Sequence, residues 1–221
     1  MAPIGVALIG LSGKAKTSWA SAAHLPYLLS DRGRQSYKIV ALCNSSEEAA
    51  RTAIKAYSLA SDVKAYGSPQ DVAADPGIDL VVCATRVDVH YSTIEPSVKA
   101  GKNVFVEWPL AENVGRATEL ANLAKESGSK TLIGLQARVS PAVHKVKEII
   151  GSIGKVLSSD VLGFTPGGGG NEISEGLAYF MDKSIGGNPV TIAFAHSESH
   201  LVRRCFLPAN SSKQSISYTS L

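Results

Sequence analysis

Short, continuously apolar runs recur along the chain, and helical patterns separate them. Ile4-Gly5-Val6-Ala7-Leu8-Ile9-Gly10 has no polar face, so it reads as a strand buried on both sides. Tyr37–Cys43, Asp79–Ala84, Asn103–Val106 and Lys130–Leu135 read the same way. The stretch from about Trp19 to Leu29 predicts a helix. A second helix starts near Ser45, where Glu48 three residues on completes a capping-box pattern, and runs to about Leu59. Asn113 to Ser127 is amphipathic, with Gly128 as a stop. Buried strands that alternate with helices pair in parallel through right-handed crossovers. The expected fold is therefore α/β, a Rossmann-type doubly wound parallel sheet.

The texture changes near residue 140. A helix is expected from Pro141 to Ile150, then a turn at Gly151-Ser152-Ile153-Gly154 and the first strand of a new sheet from Lys155 to Leu162. Pro166 and Gly167 to Gly170 make a loop with little preference of its own, and the polar run from Asn210 to Leu221 is expected to fray. This divides the chain into residues 1–140, a nucleotide-binding domain, and 141–221, a partial α+β domain. A single short strand there cannot make a stable sheet of its own.

Composition narrows the function classes. At 221 residues, 44% hydrophobic and 19% charged, the chain can bury a core. Its net charge of +3 is mild and no basic block exceeds Arg203-Arg204, so no footprint for direct nucleic-acid binding is visible. The apolar run from Ile4 to Leu11 is too short to span a membrane and lacks the basic start and cleavage site of a signal peptide. Cys43, Cys83 and Cys205 are far apart, and the first two lie in strand-like runs. Reduced, buried thiols in a cytoplasmic or nuclear protein fit better than a disulfide framework.

Ligands of a doubly wound sheet bind beyond the carboxyl ends of its strands, so those loops hold the candidate residues. The first is Gly10-Leu11-Ser12-Gly13-Lys14-Ala15-Lys16-Thr17-Ser18-Trp19. A dinucleotide fold wants G-x-G-x-x-G here, for a tight turn and close backbone approach to pyrophosphate. Gly10 is present, Ser12 stands at the second glycine, Gly13 is adjacent, and the loop is lengthened. An ordinary βα turn is the plainer alternative for these glycines. The second strand ends Cys43-Asn44-Ser45-Ser46, without the acid that usually holds the adenosine ribose of NAD. NAD and NADP both stay open. Arg51 is the nearest cation for a 2′-phosphate, and Ser45 is expected to serve as helix cap, ribose partner or both.

The series of loops resembles one family throughout. Gly101-Lys102-Asn103-Val104-Phe105-Val106-Glu107-Trp108-Pro109-Leu110 is similar to the "aGKhVxxEKPla" segment of the glucose–fructose oxidoreductase / inositol dehydrogenase (Gfo/Idh/MocA) family. Thr85-Arg86-Val87-Asp88-Val89-His90 resembles its "TPNxxH" element, keeping Thr85 and His90. Gly134 to Pro141 resembles "vgxxxRxxP", and Ile150 to Lys155 resembles "lixxGxiGxi". The resemblance spans about residues 4 to 162. It implies NAD(P) binding, with Gly10, Ser12, Gly13, Asn44, Ser45, Thr85, His90, Glu107 and Trp108 as cofactor-binding candidates. His90 could instead cap a helix or face solvent.

The same resemblance argues against ordinary chemistry. The family's lysine at the hydride-transfer site is replaced by Trp108, whose indole N–H donates one hydrogen bond but carries no titrating charge. Gly186-Gly187-Asn188 to His196 is similar to the family's "GGGxLxDxGxHxxD", yet Ile192 stands at the carboxylate and Ser199 at the second acid. No catalytic residue is assigned. His196-x-Glu198-x-His200 invites a metal reading by its spacing, but lacks a third spaced ligand, so none is assigned either. Glu107-Trp108, Trp19-Ala20 and His24-Leu25-Pro26 look most like the non-catalytic branch of the family, the fungal galactose-pathway transcriptional repressors. That likeness implies a regulator or sensor with a protein partner. The alternative is an active dehydrogenase of a sugar or secondary metabolite. Relatives carry a large second sheet that covers substrate and makes the dimer interface, so the resemblance implies a truncated C-terminal domain over residues 141–221, and a homodimer is expected only with a complete one.

Overall fold

The computed structural model describes residues 2–13, 19–154 and 175–188. Six strands form one parallel sheet among them: β1 (Ile4–Ile9), β2 (Tyr37–Cys43), β3 (Lys64–Tyr66), β4 (Leu80–Cys83), β5 (Asn103–Glu107) and β6 (Thr131–Gly134), in the order β3-β2-β1-β4-β5-β6. The chain reverses its direction of winding between β1 and β4, and such a switch point opens a crevice at the strand C-termini.

The continuously apolar strands feed two cores, because successive side chains leave opposite faces. Ala7, Ile9, Cys43, Val81, Cys83, Val104 and Val106 pack with Val72 of α4 (Pro69–Ala74), Ile94 and Val98 of α5 (Val87–Lys99) and Leu120 of α6 (Val114–Ser127). Val6, Leu8, Ile39, Leu42 and Val82 pack on the other face with Leu25 and Leu28 of α1 (Leu25–Leu29) and Ala50 and Ala53 of α3 (Glu47–Ala56). A short α2 (Asp31–Arg34) precedes β2. Cys43 and Cys83 are buried and unpaired, and burial pushes each thiol up to about 11, where neither is a nucleophile at neutral pH.

Local chemistry explains where the elements begin and end. Asn113 caps α6 by accepting from the Arg116 amide, and Gly128 ends it at φ 75°. The expected helix over Trp19–Leu29 is split: Ala20–His24 forms a π turn that runs into α1. The cap of α3 is Ser46, whose side chain accepts from the Ala49 amide, and not Ser45: β2 ends at Cys43 as expected, and the turn after it leaves Ser46 as the extended residue before the helix. β3 and α4 lie outside the elements expected from the apolar pattern. β3 is a three-residue, partly exposed strand at the sheet edge, too short and too polar to show a period.

The chain groups into two units. The first joins residues 1–134 with 173–188; in the latter, 3₁₀ segments cover Glu175–Met181 and Lys183–Ile185. The second takes 135–172 and 189–221; its described part is a 3₁₀ turn at Gln136–Val139 and α7 (Pro141–Ile150), which begins and ends where the sequence places it. The expected strand Lys155–Leu162, the glycine loop 167–170, the His196-Glu198-His200 group, Cys205 and the polar tail lie outside the described residues, as do Lys14 and Lys16. No helix among the described residues is long and apolar enough to cross a membrane.

Candidate functional site

Gly10 ends β1 with φ 93°, a backbone that L side chains rarely adopt, and its amide donates to the Cys43 carbonyl (3.2 Å). A Cβ at Gly10 would stand 2.7 Å from the Ala84 carbonyl oxygen and 3.0 Å from the Thr85 methyl. The glycine is thus what lets the first loop lie directly against the β4–α5 loop. Leu11 is buried, which fixes the chain before Ser12 and Gly13. The Tyr57 hydroxyl donates to the Ser12 carbonyl at 3.4 Å. Among the described residues, a Cβ at Gly13 would meet the Ala56 methyl alone, at an ordinary 3.7 Å.

Asn44 has a role its position alone did not show. Its side-chain amide donates to the Leu11 carbonyl (2.8 Å) and more weakly to the Ala49 carbonyl (3.4 Å), tying the end of β2 to the first loop and to α3. Ser45 is exposed beside it, and Arg51 is ion-paired with Glu47 one turn back on α3. The Asn44 carbonyl oxygen suits a ribose hydroxyl, which can donate to it. Asn44→Asp would swap the donor for an oxygen facing two carbonyls. We expect it to cost about 1–3 kcal/mol of stability, seen as a lower midpoint in urea, and not merely to add a ribose acceptor.

The Thr85 hydroxyl contacts the Cys83 thiol at 3.3 Å, and the Thr85 carbonyl oxygen lies 2.9 Å from His90 Nε2. His90 neither caps a helix nor faces solvent. It is buried on α5, with Nδ1 2.8 Å from the Pro109 carbonyl oxygen. Burial holds the ring below the usual imidazole range, against the pull of the two carbonyls, Glu107 and Asp88. Glu107 and Trp108 end β5, and a cis Trp108–Pro109 peptide follows.

Two partners of this region were not among the sequence candidates. His24, the last residue of the π turn, has Nε2 2.6 Å from Glu107 Oε1, with both side chains largely covered and the ring set edge-on to Phe105. It ties the element after the first loop to the end of β5. Tyr179 lies under the Arg86 guanidinium at 5.1 Å, while Arg86 makes two 3.0 Å bonds to Asp88. The one signal for His24 was its place in His24-Leu25-Pro26, the run that resembles the non-catalytic branch of the family; Tyr179 had none.

The structure therefore gathers Gly10 with Thr85, Thr85 with His90, and Asn44 with the first loop, all at the carboxyl edge of one parallel sheet. Ser45 stays at the rim, and His90 sits behind the loops. Among the described residues, no three His, Cys, Asp or Glu side chains gather as a metal would require.

Comparison with known proteins agrees with this geometry. The model of the oxidoreductase family with the NAD-binding Rossmann fold (Gfo/Idh/MocA) matches residues 4–135. The dehydrogenase aclE of Aspergillus oryzae is 35% identical over 173 residues, 74% of this chain and 44% of that protein. The galactose/lactose metabolism regulatory protein GAL80 of Saccharomyces cerevisiae is 31% identical over 204 residues, 89% of this chain and 46% of that protein. The chain thus spans less than half the length of these two relatives. The crystal structure of a super-repressor mutant of Gal80p from Saccharomyces cerevisiae superposes with a TM-score of 0.73 at 29% identity, covering 92% of this chain and 53% of that one.

Proposed function

This chain belongs to the oxidoreductase family with the NAD-binding Rossmann fold, and we propose that it binds NAD or NADP as a regulator or sensor without transferring hydride. The observation that carries this reading is Trp108 at the end of β5, where the family pattern has a lysine. An indole cannot polarise a substrate oxygen as an ammonium does. Likeness to GAL80 over 89% of the chain supports the regulatory branch, and with it a protein partner met in the cytoplasm or nucleus.

The residues present suit a dinucleotide. Gly10, Ser12 and Gly13 would take the pyrophosphate, Asn44 and Ser45 the adenosine ribose, and Thr85, Glu107 and Trp108 the nicotinamide side. His90 would support two of these loops from behind. A bound nicotinamide ring would supply the hydride-accepting or hydride-donating group; the chain's own residues bind and orient it.

A second reading, an active dehydrogenase, is favoured by the 35% identity to aclE. Calorimetric titration of the 221-residue chain with NAD, NADH, NADP and NADPH tests the shared premise. Binding of at least one is expected, and a ligand at 100 times its dissociation constant should raise stability by about 2.7 kcal/mol. No heat and no rise in melting temperature with any of the four would refute dinucleotide binding.

A further inference from the structure

His90 is set in an arrangement that a neutral imidazole cannot satisfy. Both of its ring nitrogens lie within hydrogen-bond distance of backbone carbonyl oxygens: Nε2 at 2.9 Å from Thr85 and Nδ1 at 2.8 Å from Pro109. A carbonyl only accepts, and a neutral imidazole has one N–H. One nitrogen of the neutral ring must therefore turn a lone pair toward an oxygen lone pair. The imidazolium donates to both. The ring is 1% exposed, so water cannot stand in for the missing proton.

The two carbonyls belong to different loops of the candidate site. Thr85 is in the β4–α5 loop that touches Gly10, and Pro109 directly follows Trp108. The ring is the brace between them. Resting on the dinucleotide reading above, the geometry points to His90 as a positioning residue that draws these two loops together on taking up a proton, so that dinucleotide and proton bind together. An oxidised dinucleotide brings two phosphate charges and one positive nicotinamide ring to the same sheet edge, a net negative charge that favours the imidazolium.

Asp88 on the same helix and Glu107 at the end of β5 act on the ring; Asp88 is engaged by Arg86 and Glu107 by His24. On the flanking helices, Arg116 and Glu119 of α6 are held on Tyr91, and Asp71 of α4 acts on the Cys43 thiol. Burial lowers the ring's affinity for a proton in the free chain, so at neutral pH it is uncharged there and keeps one of its two bonds. Ligand binding that raises this affinity makes dinucleotide binding tighten as pH falls below the ordinary imidazole range.

The test is calorimetric titration of the whole chain with NAD from about pH 8 to about pH 5.5, for wild type, His90→Gln and His24→Gln. Gln offers one donor to one carbonyl and does not titrate. Wild type and His24→Gln are expected to tighten several-fold, up to about tenfold for each unit by which the ring's pKa rises on binding. His90→Gln is expected to show a flat profile. A slope retained in His90→Gln, or lost only in His24→Gln, overturns the proposal.

Ring ¹⁵N resonances of the wild-type chain give an arm that needs neither ligand nor variant. Acidification should protonate the second nitrogen of His90 while the protein stays folded. The amides of Thr85–Val87 and Leu110–Ala111 should shift with the same midpoint. A ring that keeps one bare nitrogen until the chain unfolds, or loops that ignore its titration, overturns it. Absence of NAD binding at every pH, with the ring and loops titrating together, would sink the dinucleotide reading and leave the brace standing.

Discussion

Gly10→Val is expected to lower the stability of the whole nucleotide-binding unit, by about 3 kcal/mol or more, and to abolish dinucleotide binding with it. Two independent costs add. At φ 93° any L side chain is strained, and a β-branched one more so. A Cβ there also meets the Ala84 carbonyl at 2.7 Å, and backbone at the centre of a parallel sheet has little room to withdraw. From sequence, the same glycine is needed for close approach of pyrophosphate. The structure adds a prior reason, the packing of the first loop on the β4–α5 loop.

The two reasons can be separated. Gly13→Ala adds a Cβ that among the described residues meets only the Ala56 methyl, at 3.7 Å, so it should leave the urea midpoint near wild type while reducing nucleotide affinity. A Gly10→Val protein as stable as wild type would show that the end of β1 does not take this conformation. Gly13→Ala with unchanged affinity would move the pyrophosphate away from this loop.

The contrast between Gly10 and His24 shows what a single sequence exposes. β1, β2, β4 and β5 were legible because strands buried on both faces must be apolar without interruption, and no other short element has that need. α6 was legible from Asn113 and the stop at Gly128, and α7 from Pro141 and the turn that starts at Gly151. The capping box misplaced the start of α3 by one residue because Ser45 and Ser46 are adjacent, and only the path of the turn between Cys43 and Glu47 decides which of them meets a helix amide. α4 was announced by Ser68 and Pro69 but is a six-residue helix, too short for a period. The loop candidates were legible as positions, since strand ends in this topology converge. Their partners were not. His24 and Glu107 are 83 residues apart, and His90 reaches Pro109 across 19; no local pattern encodes a contact that depends on how a π turn and a proline peptide are aimed.

The unmodified chain is expected to show no hydride transfer above background on a panel of polyols, aldoses and imines with either oxidised cofactor or either reduced one. A charged donor held at a reacting oxygen supplies several kcal/mol in the transition state, and its loss removes on the order of 10²–10³ in rate. Trp108 stands at that position, in a turn followed by Pro109 and backed by a Glu107 whose carboxylate is held by His24. Trp108→Lys would place an ammonium beside the His24–Glu107 pair. It should still fail to restore turnover, because Ile192 occupies the position of the family's acid, and proton transfer to a substrate needs a group within hydrogen-bond reach. A Trp108→Lys, Ile192→Asp double variant is the stricter test, with activity expected only if the missing groups are the whole obstacle. Steady-state turnover by the wild-type chain would overturn the regulator reading in favour of the dehydrogenase, and its loss in His196→Ala would then name His196 as the acid–base group.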